Sequence, residues 1–320
     1  MKKYLALLLA VMMVFSVCAC GNSAGDDAAK TEKLSFGTGG EAGTYYAFGG
    51  VISQYVTNNT NVEVKAITSG GSAANVGDID AGDIELGFCQ SDVMAYAYKG
   101  ERTFDAAIDS FSVVAALYME DVQIVTVDPS IKSVADLKGK SVSVGDQGSG
   151  VYFNAVDVLE AYGLTIDDIE PVYQGFGDST ESMKDGKIDA AFVVAGAPTT
   201  SIVDLATAKE VNLVSIDDEH IDILMKNCPY YSKHVIPADA YGLAEDTQTV
   251  AVAAVVLAGD DVSADAVYAF VSTIYDNIGE LQHDKANELN LDFAASMTTV
   301  PYHPGAAQYF AEQGIDVAVK

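Results

Sequence analysis

The sequence predicts an α/β fold with largely parallel sheets. Hydrophobic residues make up 49% of the 320 positions, which is typical of a globular chain that buries a substantial core. Short apolar, strand-like runs alternate with glycine-containing or polar loops and with runs of helical spacing. This alternation is typical of strand–helix–strand units with parallel strands. Since such sheets bind small molecules at the carboxyl ends of their strands, the loops that follow strands are the first candidates for a site.

The first twenty residues resemble an export signal. Two lysines precede the apolar run Leu5–Val14, and small residues lead up to Cys20. We expect a bacterial lipoprotein signal peptide over residues 1–19, with lipid on the Cys20 sulfur and an extracytoplasmic location at the cell membrane. An ordinary secretory signal or a membrane anchor is the alternative, although the apolar run is too short to span a bilayer. Residues 20–32 are polar and are expected to form a disordered tether.

The charge balance narrows the class of ligand. The formal net charge is −29, so nucleic acid is an unsuitable partner, because phosphate binding needs a basic surface. The chain has a single arginine, Arg102, and a carboxylate ligand could find bidentate recognition by arginine nowhere else. Most hydrogen-bond donors for an anion would therefore be backbone N–H groups, helix N-termini and hydroxyls.

The loop Gly37–Gly50 follows the strand-like run Leu34–Phe36 and leads into the helical run Tyr45–Val56. Its glycines lack Cβ atoms, so a small anionic molecule can approach the main-chain N–H groups and the first turn of the helix. The start of the loop also fits the dinucleotide-binding pattern G-x-G-x-x-A, with Glu63 as a candidate ribose ligand. An exported enzyme on a doubly wound fold is therefore an alternative. Export and the position of Glu63 inside a strand count against it.

The same order of elements repeats along the chain. Predicted strands are Val62–Ile67, Ile84–Phe88, Ser141–Val144 and Ala190–Val194. The loops that follow them contain Ser69–Ser72, Gln90–Asp92, Gly145–Gly150 and Ala195–Pro198. The segments Gly82–Phe88 and Gly186–Phe192 resemble each other, which favours two lobes of common architecture, although many parallel strands look alike.

Groups suited to catalysis or metal binding are scattered. The four histidines, His220, His234, His283 and His303, show no metal-ligand spacing. Cys89 and Cys228 follow no metal or redox motif and are expected to be separate, mostly buried thiols. The pairs Asp167-Asp168, Asp217-Asp218 and Asp260-Asp261 fit solvated turns or helix caps. We expect no metal site, no cofactor and no enzymatic activity.

Six segments carry a resemblance to a known family. They are Gly37–Gly50, Thr68–Ser72, Leu86–Asp92, Ile131–Gly150, Lys187–Phe192 and Tyr302–Ala307. In this order, which covers essentially the whole mature chain, they resemble the TAXI family of solute-binding receptors, the extracytoplasmic components of TRAP transporters.

The resemblance implies a two-lobed type II periplasmic-binding-protein fold with a ligand cleft between the lobes. Lobe I would comprise residues 33–120 and 254–320, and lobe II residues 121–253. The chain would cross between them near Tyr118–Val125 and Gln248–Val256. The apolar, alternating runs Val122–Val127 and Val250–Leu257 fit hinge strands by their own composition. Binding would close the lobes of a monomer, and the closed form would dock on TRAP permease subunits.

The resemblance also implies the residues that line the cleft. Lobe I would contribute Thr38, Gly39, Thr44, Tyr45, Ser72, Gln90 and Ser91. Lobe II would contribute Gln147, Gly148, Ser149, Gly150, Gly196, Ala197 and Thr199. The hydroxyls would donate hydrogen bonds to the ligand, and Tyr45 and Tyr118 would cover its carbon skeleton. The alternative is that Ser72 and Ser149 are only helix caps and that the two tyrosines are only core residues.

The family implies ligands such as glutamate, glutamine, 2-oxoglutarate or other small carboxylates and dicarboxylates, without a choice among them. Glu41 departs from the family, which often has small residues at Glu41 and Ala42. A carboxylate there would oppose an anion, so Glu41 either faces solvent or pairs with an amino group on the ligand. A binding lipoprotein that serves signalling or another class of transporter is a further alternative.

Overall fold

The structure, a computed structural model, describes residues 32–320. The predicted signal peptide, Cys20 and nearly all of the predicted tether lie outside the described residues. Glu32, predicted to end the tether, is instead the first residue of a strand. Within the described part of the chain, no helix combines the length and the apolar character that a bilayer crossing requires.

Within residues 32–320, ten strands form one mixed sheet. They are β1 Glu32–Gly37, β2 Val62–Ile67, β3 Leu86–Gln90, β4 Phe111–Thr126, β5 Ser141–Ser143, β6 Glu170–Val172, β7 Ala190–Ala195, β8 Asn212–Leu213, β9 Ser232–Ile236 and β10 Thr247–Gly259. The strand order is β2-β1-β3-β10-β4-β7-β5-β6, with β8 paired to β4 and β9 to β10. The predicted strands agree with these bounds to within two residues, and the predicted α/β fold is confirmed.

In the described part of the chain, ten α-helices cover the sheet. They are α1 Thr44–Asn59, α2 Ser72–Ala81, α3 Ser91–Lys99, α4 Val151–Ala161, α5 Phe176–Lys184, α6 Thr200–Ala208, α7 Asp218–Asn227, α8 Ala264–Tyr275, α9 Leu291–Ala294 and α10 Pro304–Glu312. Each of α1, α2, α4 and α5 follows a strand through a glycine-containing loop, as the sequence pattern predicts. The predicted cap Ser72 is instead the first helical residue of α2, because Gly71 occupies the cap position.

The long strands β4 and β10 divide the sheet into two half-sheets. They run antiparallel to each other, whereas the outer strands β1–β2, β1–β3, β5–β6 and β5–β7 pair in parallel, as predicted. The first half-sheet comprises β2, β1 and β3 together with residues 254–259 of β10 and 111–118 of β4. The second half-sheet is β6-β5-β7 with residues 121–126 of β4 and 247–251 of β10.

The core lies on both faces of these central strands. In β4 every residue except Met119 is buried, so the strand shows no alternation of buried and exposed side chains, as expected for a strand covered on both faces. In the first half-sheet Phe36 stacks on Phe88 with ring centroids 4.8 Å apart and meets Phe270 edge-on. Cys89 and Cys228 are both buried and free, as predicted.

Candidate functional site

A cavity of about 420 Å³ lies where the two half-sheets meet. It is lined by Gly39–Tyr45, Ser69–Ser72, Gln90, Glu120, Asp146, Ser149–Val151, Gly175–Asp178, Val194 and Ala195. These residues belong to the loops that follow β1, β2, β5 and β6 and to the ends of β3 and β7, with Glu120 contributed by β4. The cavity thus lies at the carboxyl ends of parallel strands, where α/β sheets bind ligands.

Four helices begin at this cavity. The cap residues of α1, α2, α4 and α5 are Gly43, Gly71, Gly150 and Gly175, and none of these helices has a side-chain cap hydrogen bond. A helix N-terminus offers unpaired N–H donors and the positive end of the helix dipole. Glycine at the cap keeps that end uncovered. At Gly150 a Cβ atom would lie only 1.4 Å from Oε1 of Gln90, so any other residue there would force the Gln90 side chain to move.

One of the four helix ends is already occupied by the protein. The N–H groups of Ala73 and Ala74 in the first turn of α2 both donate to the carbonyl oxygen of Gly148, each at 3.0 Å. Gly148 belongs to the loop after β5 in the second half-sheet, whereas α2 packs on the first. The start of α2 therefore joins the two sides of the cavity and has fewer N–H donors for an anion.

Two further hydrogen bonds cross the cavity rim. The hydroxyl of Thr44 at the start of α1 donates to the carbonyl of Gly196 at 2.9 Å. The N–H of Ser201 in α6 donates to the carbonyl of Ala42 at 3.3 Å. Loops of the first half-sheet are thus held against loops and helices of the second at the cavity rim.

Most of the hydroxyls expected to hold a ligand have protein partners instead. Thr38 donates to the carbonyl of Ile67 at 2.7 Å, and Ser72 accepts from the N–H of Gln90 at 3.1 Å. Ser91 accepts from the N–H of Ala253, and Thr199 donates to Gly196 while accepting from Gln123. The exception is Ser149, whose buried hydroxyl has no hydrogen-bond partner within residues 32–320.

The structure brings about half of the expected site residues together. Those that line the cavity are Gly39, Thr44, Tyr45, Ser72, Gln90, Ser149 and Gly150. Those outside its lining are Thr38, Ser91, Tyr118, Gln147, Gly148, Gly196, Ala197 and Thr199. Gln147 and Gly148 border a separate, smaller cavity of about 190 Å³, and Tyr118 is buried in the core.

Glu120 is the lining residue that sequence reasoning missed. It lies in β4 where the strand passes between the half-sheets, its side chain is 1% exposed, and its Oε2 accepts a 2.6 Å hydrogen bond from the Tyr45 hydroxyl. Burial raises the pKa of Glu120 to about 8, which outweighs the lowering effect of the Tyr45 hydrogen bond. The signal that could have found it is the pair Glu120-Asp121, two adjacent carboxylates inside an otherwise apolar strand.

Tyr45 connects this carboxyl to the aromatic core. Its ring stacks on Phe88 with centroids 4.5 Å apart and an interplanar angle of 8°. Burial raises the pKa of Tyr45 well above its usual value, and the charge of Glu120 acts in the same direction, so the phenol stays protonated and remains a donor. Tyr45 therefore fixes the orientation of Glu120 at the cavity wall.

All charged side chains that line the cavity are acidic. Besides Glu120 they are Glu41, Asp146 and Asp178, each exposed to solvent. Arg102 lies outside the lining, pairs with Asp157 and rests over the ring of Tyr96. Bidentate arginine recognition of a ligand carboxylate is thus absent from the cavity, and the positive ends of helices are its main attraction for anions.

A buried polar network supports the cavity from Gln90. Its Nε2 donates to Oδ1 of Asn154 at 3.0 Å, and Asn154 Nδ2 donates to Asp92 and to the Tyr231 hydroxyl at 2.9 and 2.8 Å. Burial raises the pKa of Asp92 to about 7. Because α3 carries Asp92 and α4 carries Asn154, the network ties the first half-sheet to the second.

The scattered histidines and aspartates have structural partners. His303 accepts a hydrogen bond from the N–H of Gly305 and caps α10, while Asp217 caps α7 by accepting from the N–H of His220. Glu63, the candidate ribose ligand, pairs with Lys33 on the neighbouring strand, away from the cavity lining. Within residues 32–320 no cluster of three or more histidine, cysteine or acidic side chains could hold a metal ion.

Solved structures of binding proteins share this fold. MatC from Rhodopseudomonas palustris with bound malate is 13% identical, with a TM-score of 0.55 over 80% of this chain and 87% of that chain. The alkanesulfonate-binding protein SsuA from Xanthomonas axonopodis pv. citri, bound to MOPS, is 16% identical, with a TM-score of 0.52 over 92% and 88%. A protein from Bordetella bronchiseptica RB50 is 17% identical, with a TM-score of 0.53 over 88% and 80%. The predicted two-lobed fold is confirmed, and at these identities the likeness concerns the fold alone.

The family is shown by the sequence itself. Residues 36–314 match the model of the NMT1-like family. The matched segment includes the cavity loops of both half-sheets and all ten α-helices of residues 32–320. The TAXI resemblance is a narrower assignment than this match. The chain belongs to the NMT1-like family.

Proposed function

We propose that this protein is an extracytoplasmic solute-binding receptor that captures a small organic acid or amino acid and delivers it to a membrane permease. The observation that carries the proposal is the cavity between the half-sheets, at which four helix N-termini converge. Convergent helix ends suit a ligand with a carboxylate, and a cavity between two half-sheets suits capture by closure. The glutamate and 2-oxoglutarate class fits this chemistry.

We assign the half-sheets to two lobes that move relative to each other. Lobe I is residues 33–120 and 254–320, and lobe II is residues 121–253. The change of strand partners in β4 and β10 supports these bounds, since β10 leaves β9 after Ala251 and joins β3 at Ala254. The hydrogen bonds from α2 to Gly148 and from Thr44 to Gly196 then join opposite lobes and belong to the closed form.

Transport, rather than catalysis, agrees with the chemistry of the cavity wall. Its one unpartnered hydroxyl, Ser149, has no base within hydrogen-bond distance among residues 32–320, so no activated nucleophile is assembled there. The dinucleotide alternative would need Glu63 at the cavity, and Glu63 pairs with Lys33 instead. We therefore favour a receptor over an exported enzyme.

We further propose anchoring through lipid on Cys20 and delivery to a TRAP permease of the TAXI type. Both rest on the sequence resemblance rather than on the described residues. Uptake by membrane vesicles separates the transporter classes, because a TRAP system needs an ion gradient, whereas another class would need a different energy source. Uptake that depends on ATP in the absence of an ion gradient would contradict the TRAP assignment.

The test of the receptor function is a ligand screen. Native mass spectrometry of the purified chain should show a copurified small acid, and a thermal-shift panel of amino acids and carboxylates should identify a stabilising one. A ligand at about 100 times its dissociation constant should stabilise the fold by roughly 2.7 kcal/mol. If no member of the panel raises the unfolding temperature, the receptor proposal for small acids fails.

A further inference from the structure

The cavity combines two kinds of charge recognition on different parts of its wall. The first-turn N–H groups of Thr44, Val151 and Phe176, which begin α1, α4 and α5, donate to no oxygen atom of residues 32–320. They are available for a carboxylate. The carboxyl of Glu120 faces the same cavity, and its Oε1 has no hydrogen-bond partner within residues 32–320.

Within residues 32–320 no cationic side chain forms an ion pair with Glu120. The nearby Lys285 forms an ion pair with Glu288 at 2.5 Å, and its ammonium lies 5.5 Å from the centre of the Tyr118 ring. The remaining charged residues at the wall are acidic, so they attract cations and repel anions. A buried carboxylate in such a place is stabilised by a ligand that supplies the missing positive charge.

We propose that the ligand is a zwitterion whose protonated amino group binds the Glu120 carboxylate while its own carboxylate occupies the free helix N-termini. This proposal rests on the receptor function proposed above and narrows it from small acids in general to amino acids. The apolar side chains of Ala42, Val151, Phe176 and Val194 at the wall suit the carbon skeleton. Tyr45 supports the assignment, because a phenol that donates to Oε2 leaves Oε1 free to accept from the ligand.

The rival ligand is a 2-oxo acid, which could accept a hydrogen bond from protonated Glu120. The two cases differ in the direction of proton exchange. An ammonium group needs the carboxylate form, so its binding lowers the pKa of Glu120 from about 8 and releases about one proton at pH 7. A 2-oxo acid needs the protonated form, so its binding releases no proton and takes up a fraction of one.

Proton exchange by other titratable groups near Glu120 must be distinguished from proton exchange by Glu120 itself. The groups that face it or share its environment are Tyr45, Cys89, Asp92, Tyr118, Asp121 and Lys285. Burial keeps Tyr45, Cys89 and Tyr118 protonated at neutral pH, because it raises the pKa of each well above its usual value. Asp92, with a pKa of about 7, could exchange a proton in the same range, so the Asp92→Asn variant serves as the control for proton counting.

The experiment is isothermal titration calorimetry of the full chain, purified in detergent, with matched pairs of probes. The pairs are L-glutamate with 2-oxoglutarate, L-alanine with pyruvate, and L-leucine with 4-methyl-2-oxopentanoate. Each titration is run at pH 7 in two buffers of different ionisation enthalpy, which gives the number of protons exchanged. We expect one amino acid to bind at least about tenfold more tightly than its oxo acid and to release about one proton, in the wild type and in Asp92→Asn.

Substitutions at two glutamates complete the test. Glu120→Gln should weaken binding of the amino acid by about 10- to 100-fold and abolish proton release, while it changes binding of the oxo acid by less than about threefold. Glu63→Gln removes a carboxylate that pairs with Lys33 outside the cavity lining and should change either affinity by less than about threefold. Glu120→Asp keeps an ionisable carboxyl group on a shorter side chain and reports on its role if the glutamine variant unfolds.

The outcomes distinguish a failure of the zwitterion proposal from a failure of the receptor function. An oxo acid that binds as tightly as its amino acid, or an amino acid that binds without proton release, overturns the zwitterion proposal and leaves the receptor function in place. Binding that is unchanged in both Glu120 variants has the same meaning. If neither member of any pair binds, the receptor function for small acids fails, and the zwitterion proposal fails with it.

Discussion

Gln90 and Asn154 join the two half-sheets beneath the cavity, through a 3.0 Å hydrogen bond from Nε2 of Gln90 to Oδ1 of Asn154. Both residues are buried, and Asn154 also donates to Asp92 and Tyr231. Gln90 lines the cavity, so the network links the position of its side chain to both half-sheets. Oε1 of Gln90 and Oδ1 of Asp92 have no hydrogen-bond partner within residues 32–320, whereas the two amide nitrogens of the cluster are bonded. A buried polar cluster of this kind favours one arrangement, because alternatives leave further groups unpaired.

Replacement of Asn154 by leucine should therefore be strongly destabilising. The change keeps the branched arrangement of heavy atoms but removes partners from Gln90, Asp92 and Tyr231 at once, and we expect a loss of about 2–4 kcal/mol in the free energy of unfolding. Urea unfolding followed by circular dichroism measures it. The matched control is Asn59→Leu, since the side chain of Asn59 is exposed and bonds only to the Tyr55 carbonyl. A loss at Asn154 no larger than the control's would show that the network is dispensable.

The two buried carboxyls at the half-sheet boundary should make stability fall as pH rises. Burial raises the pKa of Asp92 to about 7 and that of Glu120 to about 8, whereas both ionise near pH 4 in the unfolded chain. Between these values the folded state binds more protons than the unfolded state, so each group removes up to about 1 kcal/mol of stability per pH unit. The contribution of the two protonated carboxyls to the free energy of unfolding is complete below pH 4. It is lost as pH rises through 7 for Asp92 and through 8 for Glu120.

Thermal and urea unfolding of the wild type, Asp92→Asn and Glu120→Gln between pH 5 and pH 8 tests this dependence. Each variant should show a flatter profile than the wild type, and the difference in slope removes the contributions of groups common to both proteins, including the histidines. Glu63→Gln changes an exposed glutamate and should leave the slope unaltered. Parallel profiles for the wild type and both buried-site variants would rule out these carboxyls as the source.

The order of elements could be predicted because it depends on local sequence. The strands Val62–Ile67 and Ser141–Ser143 and the loops after them agree with the predictions to within one residue. The hydrogen-bond partners of the polar side chains could not be predicted, because they come from distant parts of the chain. Thr44 is the right kind of residue at the cavity, yet its hydroxyl bonds to Gly196, which is 152 positions away.

Glu120 shows a different limit of sequence reasoning. A charged residue in an apolar strand is visible in the sequence, but the direction of its side chain is not. Because β4 is buried on both faces, its residues carry no alternating pattern that would tell the cavity side from the core side. Only the packing of α1, which brings Tyr45 to the carboxyl, shows that Glu120 faces the cavity.

Thr44→Val should weaken ligand binding more than it weakens the fold. The Gly196 carbonyl keeps a second donor, the Thr199 hydroxyl at 3.1 Å, so the free energy of unfolding should fall by less than about 1 kcal/mol. The lost bond joins loops of opposite half-sheets, so its absence favours the open form and should raise the dissociation constant about three- to tenfold. Calorimetry and small-angle scattering measure the two effects.

The control for Thr44 is Thr207→Val. The Thr207 hydroxyl is exposed and bonds only to the Asp204 carbonyl within α6, so neither the affinity nor the radius of gyration should change. If Thr44→Val leaves the dissociation constant within about twofold of the wild type, the hydrogen bond does not contribute to closure.

Gly150→Ala should disrupt the cavity through Gln90. The added Cβ would lie 1.4 Å from Oε1 and 2.6 Å from Cδ of Gln90, and the hydrogen bond to Asn154 prevents that side chain from turning away without loss of its partner. We expect a loss of about 2–4 kcal/mol in the free energy of unfolding, from overpacking and the broken hydrogen bond together. Gly50→Ala is the matched control, because no atom lies within 4 Å of its Cβ position and alanine favours the helix α1. That control should stabilise the protein by about 0.5–1 kcal/mol, and destabilisation of similar size in both variants would contradict the steric explanation.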